Sequence, residues 1–361
     1  MSLGVTLTVQ EAGRDLVDDA AERSGGRTGR RPAVAPPLSG AGRCFIVLLL
    51  MVAAGCARTT EIEWESPLGR SQPLAGRIWD VNAGAFVEPR TLVERLALSR
   101  YILLGERHDN PDHHTLQAQL VRDLVAAGRR PAVGFEMFST DDGPAIARYL
   151  VGSPKSAEGL GNAVNWQRSG WPDWRLYQPI AQAALDGGLP IVATNLSRAA
   201  TDALRRNGLS GLGPAMIARL KLDAVPEPGV RAAMAREIRD SHCDQNAEGA
   251  LERMVDIQWS RDARMAEALA RAGGRDGAVL IAGAGHVRRD HGVPVHLARH
   301  APGTTVASVA LLEVEAKEAA PADYAARFDG ALPFDYVWFT PRVDDADPCE
   351  KLKTSLSHAT R

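Results

Sequence analysis

The sequence predicts an α/β fold, a mostly parallel sheet flanked by helices, in a single domain with a helical insertion. Three observations lead there. Short apolar runs of four or five residues, suited to strands buried on both faces, alternate with stretches of helical periodicity. The stretch from Gly211 to Gly273 is helical throughout, broken only near Pro226 and Pro228. Two of the apolar runs, far apart in the chain, end in the same Gly-x-x-His pattern: Tyr101-Ile102-Leu103-Leu104 before Gly105-Glu106-Arg107-His108, and Ala278 to Ala282 before Gly283-Ala284-Gly285-His286. A glycine permits a sharp turn at a strand's carboxyl end, the rim where open α/β sheets carry their sites.

The elements follow in order. Arg77 to Asp80 and Ala85 to Val87 flank Val81-Asn82-Ala83-Gly84, the pattern of a small hairpin. Thr91 to Leu98 reads as a helix, and His113 to Ala127 as a stronger one with Leu116, Leu120, Val121 and Leu124 on one face and Gly128 at its end. Ala132-Val133-Gly134-Phe135 is a strand that ends on Glu136, followed by a helix from Asp142 to Leu150. The segment Trp166–Trp174, broken by Gly170 and Pro172, is a loop leading to a helix near Leu176–Leu185. Ile191 to Thr194 is a strand ending at Asn195, after which Ser197 caps a helix to Arg206. A long helix spans about Asn246 to Ala272, and strands lie at Thr305–Val314 and Tyr336–Phe339.

The first 55 residues are a different material. A Gly/Arg-rich and then Ala/Pro/Gly-rich stretch leads to Arg43 and the apolar run Phe45–Val52, which ends in Ala53-Ala54-Gly55-Cys56. That run is too short for a membrane span and has the form of a signal-peptide core. Small residues before a cysteine resemble a bacterial lipobox, with Cys56 as the lipidated first residue; an ordinary cleaved signal with Cys56 incidental is the alternative. Residues 56–76 read as a tether, 77–343 as the folded domain and 344–361 as a tail. Beyond Cys56 only Cys243 and Cys349 remain, in a compartment that permits a disulfide, and their spacing leaves open whether they pair.

The whole chain has 361 residues, 45% of them hydrophobic and 24% charged, with a formal net charge of −2, which gives no reason to expect nucleic acid as a partner. His108, His286, Glu106 and Glu136 all fall at strand ends, with Asn195 beside them. Imidazoles and carboxylates on one rim suit a metal ion or an iron cofactor. His114 reads as helix surface, and His296 and His300 as satisfied surface or supporting residues.

The run Leu104-Gly105-Glu106-Arg107-His108-Asp109-Asn110-Pro111-Asp112-His113-His114, followed by Gly134-Phe135-Glu136-Met137-Phe138, resembles the ChaN-like haem-binding lipoproteins. Trp174-x-x-Tyr177-x-Pro179, Ala193-Thr194-Asn195, Gln258-Trp259-x-x-Asp262 and Ala282-Gly283-x-Gly285-His286 extend the resemblance from about Arg77 to Val343. Arg107 departs from the smaller residue usual at that place. That family belongs to a superfamily with the Tiki metalloproteases and erythromycin-esterase-like enzymes.

The resemblance implies a lipid-anchored protein of the bacterial envelope, facing the periplasm, that binds haem in iron or haem uptake. It implies as partners the membrane through the anchor, a second copy of the chain on haem binding, and an outer-membrane haem receptor. It also implies tyrosine and histidine near the iron. Tyr177, inside a matched motif, is the first candidate ligand and Tyr336 the second, with His108, His286, Glu106, Glu136 and Asn195 around the haem. Trp166, Trp171 and Trp174 are candidate pocket walls. No Cys-x-x-Cys-His occurs, so c-type attachment is excluded.

Two other readings stay open. One is a divalent-metal hydrolase in which His108, His286 and Glu136 hold the ion and Glu106 or Glu136 acts as base. Neither a His-Glu-x-x-His helix nor a Gly-x-Ser-x-Gly elbow supports the commoner hydrolase designs. The other is an envelope scaffold with a vestigial rim.

Overall fold

Along the first central strand, Ile102 and Leu104 pack into one apolar cluster while Tyr101 and Leu103 pack into another on the opposite face. A strand covered on both sides needs apolar residues at every position, and this one has them. The structure is a computed structural model that describes residues 62–152, 155–241, 248–346 and 349. The leader, Cys56 and Cys243 lie outside the described residues. Cys349 is disulfide-bonded.

Eight strands form one sheet: β1 (Ile78–Asp80), β2 (Ala85–Val87), β3 (Tyr101–Glu106), β4 (Ala132–Ser139), β5 (Ile191–Asn195), β6 (Ala278–Gly283), β7 (Val306–Glu313) and β8 (Tyr336–Thr340). Their order is β2-β1-β8-β7-β3-β6-β4-β5. The hairpin β1–β2 joins β8 antiparallel, and every pairing from β8 to β5 is parallel. The predicted α/β architecture is therefore the observed one.

Helices cover both faces. On one side α1 (Pro89–Leu96), α2 (Pro111–Ala126), α3 (Gly143–Val151), α4 (Ala157–Ala163) and α5 (Trp174–Asp186) bury Leu92, Leu116, Leu120, Ile146, Leu160 and Ile180 against Ile102, Phe135 and Ile281. After α6 (Arg198–Asn207), α7 (Gly213–Leu220) and α8 (Pro228–Ser241) come α9 (Glu248–Ala272) and α10 (Val293–His300), which cover the other side through Met265, Leu269, Val293 and Leu297. Upstream of Met265, α9 turns Val255, Trp259 and Ala263 toward α6, α7 and α8, forming the core of the helical insertion. No described helix is long and apolar enough to cross a membrane.

Local chemistry explains where the boundaries moved. Helix α2 starts at Pro111, two residues earlier than its apolar pattern suggests, because the Asn110 side chain accepts from the Asp112 and His113 backbone N–H groups. Strand β4 runs past Glu136 to Ser139, and its register with β5 shifts between Phe135 and Ser139. The Trp166–Trp174 segment holds a short 3₁₀ turn, Trp166–Arg168, whose first residue is buried.

The two strand-ending glycines do something other than turn the chain. Neither has a positive φ. A Cβ on Gly105 would meet Val287 Cγ2 at 2.4 Å, and one on Gly283 would lie 3.0 Å from His108 Nε2. These residues let the two site-bearing segments approach each other closely.

Candidate functional site

Since β6 lies between β3 and β4, the ends of all three strands meet at one rim, with Glu106 in register with Gly283. Four of the residues expected there are indeed close together. Glu106 Oε1 accepts the Tyr177 phenol at 3.0 Å and lies 2.9 Å from His108 Nδ1. Glu136 Oε1 lies 3.2 Å from His286 Nε2, and its Oε2 accepts the Gly283 backbone N–H at 2.7 Å. His108 Nε2 and Glu136 Oε2 are 3.9 Å apart, which links the two halves.

Behind His286 stands a support from α9. Gln258 and Asp262, four residues apart on one helix face, both reach His286 Nδ1, at 3.0 and 2.5 Å. Burial opposes a charge on His286, but Glu136 and Asp262 outweigh it and push its pKa up to about 9. Burial likewise opposes the charge on Glu136, yet His286 and Arg261 hold the carboxyl well below the usual range. Arg261 Nη2 donates to Glu136 Oε1 at 2.5 Å, and its Nε donates to Asn195 Oδ1 at 3.1 Å. Asn195 Nδ2 in turn donates to the Glu136 carbonyl at 2.9 Å, so Asn195 braces this half of the site.

Tyr177 is fully buried, and its phenol is held far above its ordinary pKa by burial and by Glu106. Its ring meets His114 edge-on at 4.4 Å between centroids. His114, expected on the helix surface, is itself buried: its Nε2 lies 3.1 Å from the His108 carbonyl and its Nδ1 3.4 Å from Glu106 Oε2. The amino end of α2 is wedged under the end of β3, and a surface reading of its periodicity missed that. His296 is also a correction. It is completely buried against Trp259, and neither ring nitrogen has a hydrogen bond among the described residues.

The divalent-ion expectation for His108, His286 and Glu136 finds no support. Among the described residues no three or more such side chains are gathered as a metal site. The physical reason is mutual satisfaction: Glu136 is taken up by Arg261, His286 and the Gly283 N–H, and His286 Nδ1 by Asp262. The Arg261 guanidinium already supplies positive charge beside Glu136.

Beside this network, at the carboxyl ends of β4 and β5, opens a cleft of about 1010 Å³. Trp171, Met137, Val164, Leu196 and Ile257 give it apolar wall, and its charged lining combines Arg168, Arg198, Arg205 and Arg261 with Asp141, Asp142 and Asp202. Trp171 also packs edge-on against His108, with centroids 4.9 Å apart. Trp166 and Trp174, by contrast, are buried with Phe138 and Tyr177 and serve as core. Tyr336, two strands beyond β3 on the side away from the cleft, pairs with Asp80. The arginines of the cleft were not singled out from the sequence. Arg261 alone had a signal, falling between the matched Trp259 and Asp262.

Residues 92–297 match the family described as haem-binding uptake, Tiki superfamily, ChaN. The chain belongs to this family. Among solved structures it is similar to ChaN of Campylobacter jejuni, described for cofacial haem binding, with 22% identity, a TM-score of 0.58, and coverage of 72% of this chain and 95% of that one. This likeness extends the ChaN fold over most of the described residues. More remote are the type III effector HopBA1 (12% identity, TM-score 0.39, 70% and 92% of the two chains) and an erythromycin esterase mutant in its open conformation (14%, 0.35, 76% and 82%). Comparison with curated proteins finds no match. In ChaN-family terms, the matched stretch begins in α1 and ends in α10, so it includes every residue of the rim network.

Proposed function

We propose that this ChaN-family protein binds haem in the cleft beside His108 and Trp171, as a lipid-anchored carrier in haem or iron uptake. The observation that carries the proposal is the pairing of the family match with a cleft of suitable size and chemistry. Its volume, about 1010 Å³, is at the upper end of ordinary small-molecule sites, as a porphyrin requires. Trp171 and the aliphatic side chains suit the macrocycle, and guanidinium groups suit its two propionates, which pair with arginine in bidentate fashion. The Arg168 guanidinium has no hydrogen-bond partner among the described residues, whereas Arg205 is held by Asp202 at 2.6 Å. The residues present therefore fit the group. Haem would supply iron as cargo; the protein's part is to enclose the ring, neutralise its carboxylates and shield it from water.

The remaining elements of the proposal rest on the sequence and the family. Cys56 would be acylated, holding the domain at the periplasmic side of an envelope membrane. A second copy of the chain would close over the bound haem, in keeping with the cofacial arrangement described for the C. jejuni protein. An outer-membrane receptor would be the donor.

A hydrolase is less well supported. An imidazole must be neutral to hold a metal ion, and His286, with its pKa raised to about 9 by Glu136 and Asp262, carries a proton at neutral pH. Glu136 is clamped by Arg261.

Protein isolated from haem-replete cells tests the proposal, by absorption spectrum and metal analysis on one sample. Copurifying haem in stoichiometric amount supports the carrier. Haem-free protein that takes up none on titration, or metal-dependent hydrolysis of an ester or peptide panel, contradicts it.

A further inference from the structure

Beyond Gln258, Arg261 and Asp262, which serve the rim, helix α9 carries a second charged stripe. Arg264, Glu267, Ala268, Arg271 and Ala272 follow the i, i+3, i+4, i+7, i+8 spacing of one helix face. Together with Thr140 after β4, Val192 of the edge strand β5 and Arg219 of α7, that face lines a cavity of about 370 Å³. The cavity shares no lining residue with the cleft. It is also far smaller than the cleft's 1010 Å³, which suits it to a small ligand and not to a porphyrin.

Its charge is unbalanced. Three guanidinium groups face one carboxylate, and that carboxylate is taken at both oxygens: Arg264 Nη1 donates to Glu267 Oε2 at 2.6 Å, and Arg271 Nη1 donates to Oε1 at 3.2 Å. A brace along α9 explains these three residues. It does not explain Arg219, which α7 brings to the same cavity and whose side chain makes no hydrogen bond among the described residues.

Arg264 is the buried member, its side chain only 11% exposed, and its Nε finds no acceptor among the described residues. Burial lowers its pKa below the ordinary guanidinium value; Glu267 opposes the shift, and Arg219 and Arg271 add to it. A buried donor without a partner, with two further cations beside it, is a setting that a bound anion stabilises.

We propose that this cavity is a second site, independent of haem, for an oxyanion of the phosphate class held by Arg219, Arg264 and Arg271. The Thr140 hydroxyl is a further donor in its wall. Guanidinium forks match such oxygens in bidentate fashion, and Glu267 orients two of the three forks. A free ion and the headgroup of an anionic phospholipid both present this chemistry.

The test is calorimetric titration of the purified protein at low ionic strength, where exposed charges are least screened. One arm uses inorganic phosphate and the other glycerophosphoglycerol, a water-soluble phospholipid headgroup. Saturable binding in either arm supports the site, and the tighter ligand identifies the source. Arg219→Gln combined with Arg271→Gln changes two exposed side chains, so the fold should be kept. This double variant should bind the oxyanion about tenfold more weakly, while its melting temperature without ligand and its haem titration match wild type. Arg264→Gln should lose the binding altogether. No saturable binding in either arm, or binding that the double variant keeps at wild-type strength, would overturn the proposal, and the haem titration on the same samples reports separately on the haem reading.

Discussion

Tyr177 donates its phenol proton to Glu106 across 3.0 Å, from a helix 71 residues further along the chain. The bond ties α5 to the end of β3 directly behind His108. Glu106 has no exposed surface on its side chain, and its second oxygen faces only His114 Nδ1, at 3.4 Å. A carboxylate buried in this way is held by its neighbours, and they in turn are held by it.

Removing that carboxylate should therefore destabilise the fold. Glu106→Ala leaves the Tyr177 hydroxyl without its acceptor in a dry site, and a loss of about 1–3 kcal/mol is expected from that unsatisfied group. Denaturant unfolding reads this directly. An unchanged midpoint would mean that water or a rearranged side chain replaces Glu106 without loss.

Alkaline pH should loosen the other half of the rim. The folded-state pKa of His286 is raised to about 9, above the unfolded value near 6.5. Its stabilising contribution is thus complete below pH 6.5 and is lost as pH rises through 9, at about 1.4 kcal/mol for each unit of the interval. Unfolding free energies from pH 6.5 to 9 should fall in wild type and fall less in His286→Gln. Parallel curves would show that the ion pairs with Glu136 and Asp262 add nothing to stability.

Acid should act elsewhere, on the helical insertion. Burial, together with Arg299 and His300, lowers the pKa of His296 to about 3, so the folded protein holds it neutral. An unfolded chain takes up a proton near pH 6.5, and stability is therefore lost as pH falls from there toward 3. Replacing the ring by an apolar one in His296→Phe should flatten the stability curve between pH 6.5 and 5, above the range in which ordinary carboxylates titrate. The same acid sensitivity in both proteins would place its origin in another group.

Anchoring is a matter of chemistry at one residue. Cys56→Ser should abolish acylation and move the protein from the membrane fraction to the soluble fraction, or leave the leader uncleaved. Mass spectrometry of the amino terminus decides it. A wild-type protein that begins elsewhere and carries no lipid would contradict the lipobox reading.

The strand cores were legible because burial on both faces leaves an uninterrupted apolar run, as in Tyr101–Leu104 and Ala278–Ala282. The parallel order followed from alternation with helices. The site was legible wherever a strand end carried its chemistry, as for Glu106, His108, Glu136 and His286. It was not legible where a helix brought the partner from outside. His114 looks like surface until α2 is set against α5, and Arg261 becomes a site residue only because α9 crosses the end of β4. The burial of Tyr177 beneath Glu106 is likewise a property of packing that no local pattern encodes.

The claim that the cleft holds haem is tested most directly by equilibrium titration with ferric haem of wild type and of a variant in which Arg168 and Arg198 are both changed to Glu. These residues line the cleft and are exposed, so the variant should retain the wild-type circular dichroism and melting behaviour. The account predicts saturable one-to-one binding per chain in wild type and a loss of about 1.5–3 kcal/mol of affinity for each of the two charge-assisted contacts removed, hence at least about a hundredfold weakening. Equal affinity of both proteins, or no saturable binding in wild type, would contradict it.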